Sequence, residues 1–91
     1  MNDEPNAIAL RLDSDETKFG FILAELDLAA TLCQRASSAS DSATAERNLG
    51  LALTAYETAV RFAKDANLTP EKGRQIKEKI ERLDAILNEW L

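Results

Sequence analysis

Cys33 is the chain's one cysteine, and the chain has no histidine. Acid–base or nucleophilic catalysis needs a base held beside a nucleophile or a polarised carboxylate. A thiol with no imidazole to activate it falls short of that. Cys33 also falls on an apolar helical stripe, where cysteine acts as a small inert hydrophobe. A single cysteine excludes an internal disulfide and leaves no metal-ligating pair. Carboxylates are plentiful but scattered. Di-metal bundles need inward Glu residues together with Glu-x-x-His, a pattern the chain lacks. Asp13-Ser14-Asp15-Glu16 looks like the start of a calcium loop, but the central glycine and the closing glutamate are missing, so helix capping accounts for it better. The glycines stand alone at 20, 50 and 73, so there is no glycine-rich phosphate loop. Tyr56 and Trp90 read as core rings at the edge of a bundle. The expectation is a non-enzymatic chain with no cofactor and no metal site.

Such side chains have to be carried by helices. The 91 residues suffice for one domain, rich in Ala and Leu and poor in Gly and Pro. β-branched and aromatic residues are too few for a sheet. The net charge is −5, from 11 basic and 16 acidic residues. Nucleic-acid binding usually leaves a clustered basic footprint, and here the most basic stretch, 72–82, carries nearly matched Glu. The chain is therefore expected not to bind nucleic acid. No apolar run approaches the ~18–20 residues needed to span a bilayer. The opening Met1-Asn2-Asp3-Glu4 has neither the basic nor the apolar region of a secretory leader, which predicts a cytoplasmic protein.

Periodicity predicts an all-α, antiparallel up-down-up three-helix bundle over 14–91, with helices at about 15–35, 42–66 and 70–90. Residues 1–13 read as a poorly ordered or extended segment, with Ile8, Leu10 and Leu12 alternating. Asp13 and Glu16 have capping-box spacing at the start of the first helix. The core stripe of that helix reads Phe19, Ile22, Leu23, Leu26, Ala30 and Cys33. Ser37 to Asp41 forms the first connection, and Asp41 or Ser42 caps the second helix. Its stripe is Leu49, Ala52, Leu53, Tyr56, Ala59, Val60 and Ala63. Thr69-Pro70 supplies an N-cap and an N1 proline for the third helix. There Ile76, Ile80, Leu83, Leu87 and Trp90 step by four, three, four and three. Glu78 and Arg82 are spaced for an i,i+4 ion pair.

The first two helices each carry a second apolar stripe. It is Phe21, Leu28 and Leu32 on one, and Leu51, Ala55 and Phe62 on the other. On a helical wheel these stripes point away from the first, and one core cannot take both faces of a helix. The expectation is that Phe21, Leu28, Leu32, Leu51 and Phe62 form a contact surface for a partner helix or a second copy of the chain. Cover by residues 6–12 is the competing possibility.

Ala52-x3-Tyr56-x2-Ala59, followed by Ile76-x3-Ile80-x2-Leu83 and Ile86-Leu87, resembles the second and third helices of microtubule-interacting and trafficking (MIT) domains. The likeness covers about half the chain, residues 52–87, through motifs common to many helical bundles. Tetratricopeptide hairpins share the Tyr56-x2-Ala59 spacing, but no repeat of their length is visible. The MIT resemblance implies a three-helix bundle whose grooves take short amphipathic helices. The functional expectation is a helical protein–protein interaction module that binds a partner helix or itself. The alternative is a purely structural homodimeric subunit with no further ligand.

Overall fold

The computed structural model describes residues 15–90 as three helices: α1 (Asp15–Ser38), α2 (Ser42–Asp65) and α3 (Pro70–Trp90). The protein is an all-α three-helix bundle, and no strand occurs among the described residues. The expectations for residues 1–13 and for a cap by Asp13 lie outside the described residues.

Local chemistry sets the helix ends. Asp41, in extended conformation, is the N-cap of α2, and its Oδ1 accepts from the Thr44 amide at 2.7 Å. The Thr44 hydroxyl donates to the other carboxylate oxygen at 3.1 Å. Of the two residues expected to cap this helix, Asp41 does so, because its two oxygens serve two donors at once. At α3, the Thr69 hydroxyl accepts from the Lys72 amide at 3.3 Å, and Pro70 takes the first helical position. α1 runs a turn beyond the expected Arg35. The Ser38 hydroxyl donates to the Gln34 carbonyl at 2.8 Å, and the Ala39 amide donates to the Ala36 carbonyl at 3.3 Å, extending the helix into the serine-rich stretch.

Direction follows from the cross-helix contacts. Asp15, at the start of α1, accepts from the Asn67 amide just after α2, so α1 and α2 are antiparallel. Phe19 lies under Lys72 and Asp27 meets Lys79, so α1 and α3 run parallel. α1 packs mostly against α2.

The core holds Ile22, Leu26, Ala29, Leu32 and Cys33 from α1, Ala52, Ala55 and Ala59 from α2, and Ile76, Leu83 and Leu87 from α3. Ile22 and Leu26 are the largest side chains fully enclosed. No polar side chain is buried among the described residues, so the core is held by apolar burial and shape alone. The α3 stripe is as expected except at its end, where Trp90 is 39% exposed. On α1, Ala30, expected in the core stripe, is exposed, and its neighbour Ala29 is buried instead. The buried arc of α1 is wider than a single stripe and reaches round to Ala29, Leu32 and Ala36.

Candidate interaction surface

Five residues were expected to form a contact surface, and the structure divides them. Leu32 is only 8% exposed and belongs to the core. Phe21 and Phe62 are half-buried against each other, with ring centroids 4.7 Å apart and planes tilted by 48°. Leu28 and Leu51 stand in solvent at 48% and 51% exposure. The physical reason is antiparallel pairing. The second stripes of α1 and α2 face one another, and Ala55, expected to point outward, is buried between them. Most of this apolar surface is therefore covered within the chain, without the second body that the helical wheel implied.

What remains open is a shallow cleft along the outer α1–α2 seam. Leu32 and Ala55 form its floor, Leu28 and Leu51 rise at its sides, and Glu25 and Thr54 complete the lining. The cleft is mainly aliphatic, with one carboxylate at its edge. Thr54 turns its hydroxyl back to the Gly50 carbonyl at 3.1 Å and so presents little polarity outward.

A second groove lies between α1 and α3. Leu26, Ala30, Leu83 and Ile86 line one part, a cavity of about 190 Å3 edged by Asp27, Lys79 and Arg82. Ala30 and Ile86 carry the groove on toward Cys33, Gln34 and Ser37. Ile86, 39% exposed, was not among the expected surface residues. The signal was its position beside Leu87, one residue off the seam. Lys79 crosses this groove to Asp27 at 3.3 Å, with 38% and 69% of the two side chains exposed. That is the ion pair among the described residues, in place of the expected Glu78–Arg82 pair within α3.

Burial shifts two ionisable groups, Cys33 and Tyr56. Cys33 is 3% exposed, and burial pushes its thiol pKa up, disfavouring the nucleophilic thiolate. The Tyr56 hydroxyl donates to Asp84 Oδ1 at 3.3 Å. Burial, then the charge of Asp84 and this hydrogen bond, push the Tyr56 pKa up. Among the described residues no three His, Cys, Asp or Glu side chains gather to hold a metal ion, and no helix is long and apolar enough to cross a membrane.

Fold and surface together define the class: an all-α three-helix bundle in which Leu28, Leu51 and Ile86, three of the exposed large apolar side chains, line two helix–helix grooves. The chain matches no family model, no curated protein and no solved structure.

Proposed function

We propose that the chain is a non-enzymatic protein–protein interaction module, which binds a partner helix or a second copy of itself along a groove beside the bundle. The observation that carries this reading is the placement of Leu28 and Leu51. Two large aliphatic side chains, each about half exposed, flank one cleft whose floor is Leu32 and Ala55. A helix laid there would bury the exposed half of both leucines, worth roughly 0.7–1.5 kcal/mol each. Helix-in-groove docking of this kind relies on apolar anchors at helical spacing. The spacing of Ala52, Tyr56 and Ala59 and of Ile76, Ile80 and Leu83, which resembles that of MIT domains, lends further support. A cytoplasmic location fits the reading.

Site-specific photo-crosslinking in host cells tests it. A photoreactive residue at position 51 should give a discrete adduct, with a second copy or with another protein. The same probe at exposed Glu81 on α3 should give none. Equal yields at the two positions, or no adduct at position 51, would contradict the reading.

A further inference from the structure

Among the described residues, what holds α3 differs from what holds α1 to α2. α1 meets α2 along most of its length and meets α3 more sparsely, and α2 meets α3 more sparsely still. A single line of side chains secures α3: Ile76, Leu83 and Leu87 are buried and Ile80 is half-buried. Beside that line the α1–α3 seam opens to solvent as a groove of about 190 Å3 between Leu26 and Ile86. The polar ties of α3 to the other helices lie at the partly solvated edge of the bundle. They are Lys79 to Asp27 at 3.3 Å, Tyr56 to Asp84 at 3.3 Å, and the Lys72 ammonium 5.1 Å from the centre of the Phe19 ring. Solvated contacts of this sort add little, on the order of 0–1 kcal/mol each.

The chemistry that ends α3 is also local. Thr69 caps the helix from its own connection and Pro70 fixes its first turn, so neither depends on α1 or α2. The α1–α2 pair is closed by its own contacts: Phe21 on Phe62, and Leu32 and Ala55 buried between the helices. Few buried apolar contacts and low local packing mark the segments that open before a protein unfolds globally.

We infer that α3 comes away from the α1–α2 hairpin and loses its helix as one cooperative unit, at a lower free energy than global unfolding, with residues 66–69 as the hinge. This goes beyond the proposed binding at Leu28 and Leu51. Opening uncovers a different face of α1, the one bearing Leu26 and Cys33 beside Leu83 and Ile86. Cys33 serves as the reporter of that event, because its thiol becomes accessible when α3 leaves.

Native-state hydrogen exchange of the full chain, combined with Cys33 labelling by a thiol reagent across low denaturant concentrations, tests the inference. Amides at 74–88 and the Cys33 thiol should react through one shared opening that depends weakly on denaturant. That opening should be populated at least ~10-fold more than the one exposing amides at 29–33 and 52–59. A single opening constant and a single denaturant slope for all three helices would overturn the inference. Fast exchange at the end of α3, with Cys33 following global unfolding, would also overturn it, since that is fraying of the helix end.

Discussion

The buried side chains of α2 are Ala52, Ala55 and Ala59, whereas those of α3 are Ile76, Leu83 and Leu87. Small side chains let two helix backbones come close, so the α1–α2 contact runs the length of the pair through many short-range dispersion contacts. Large side chains hold a helix further off and concentrate its attachment in a few knobs. The two contacts should therefore fail in opposite ways. The α1–α2 seam has no room for added volume, and the α3 seam cannot lose any. This difference also accounts for the exposed leucines. Where α1 and α2 close around alanine, the longer Leu28 and Leu51 side chains are displaced to the rim of the seam.

Leu83→Ala, at the centre of the α3 seam, should lose ~2–5 kcal/mol of stability, a large share of what so small a bundle has. Denaturant titration by circular dichroism measures it, and a midpoint unchanged from wild type would break the comparison on the α3 side. Ala59→Leu inserts bulk at a fully buried position of α2 and should cost ~1–3 kcal/mol. If the same titration shows Ala59→Leu to be neutral or stabilising, the α1–α2 seam is not close-packed.

Gly50 offers a finer test, because it lies in the exposed interior of α2 with open space where a Cβ would stand. Gly50→Ala should stabilise the chain by ~0.5–1 kcal/mol, from helix propensity alone. A loss of stability, read as a fall in melting temperature, would mean that α2 is approached more closely there than the structure shows.

The smallest effect is expected at the α2 N-cap. The Thr44 amide, then the Thr44 hydroxyl, hold the Asp41 carboxyl below the ordinary aspartate range. A carboxyl with a depressed folded-state pKa stabilises above its unfolded pKa of about 3.9, and the benefit is lost as pH falls through the lower folded value. Asp41→Asn keeps a capping oxygen and removes the titration. Acid unfolding followed by circular dichroism should then be shallower over that window than for wild type. Identical acid limbs would show that the cap charge is not coupled to folding.

The α3 seam was legible in the sequence, as were the Thr69-Pro70 cap and the succession of three helices. In α3, four aliphatic side chains at helical spacing stand against an otherwise charged background. The faces of α1 and α2 were harder to read. Alanine scarcely distinguishes a buried face from an exposed one, so Ala30 read as core where Ala29 is the buried residue, and Ala55 looked outward. In α1, apolar residues occur nearly all the way round, and a helical wheel cannot say which arcs two neighbouring helices will share. Leu28 and Leu51 were expected on the surface, where the structure places them. The joining of their two stripes into one seam depends on the pairing of α1 with α2, which no single helix encodes.

The most direct measurement on the central reading compares wild type with the double variant Leu28→Ser/Leu51→Ser, each purified from the native host. Multi-angle light scattering and mass spectrometry give the mass bound to the chain, and a thermal melt reports the fold. The account predicts that wild type carries added mass, from a second copy or a partner protein. The double variant should lose that mass and still melt cooperatively as a helical chain, at a modestly lower temperature, since both leucines are only half-buried and lie outside the core. A double variant that keeps the bound mass, or one that unfolds, would contradict the account.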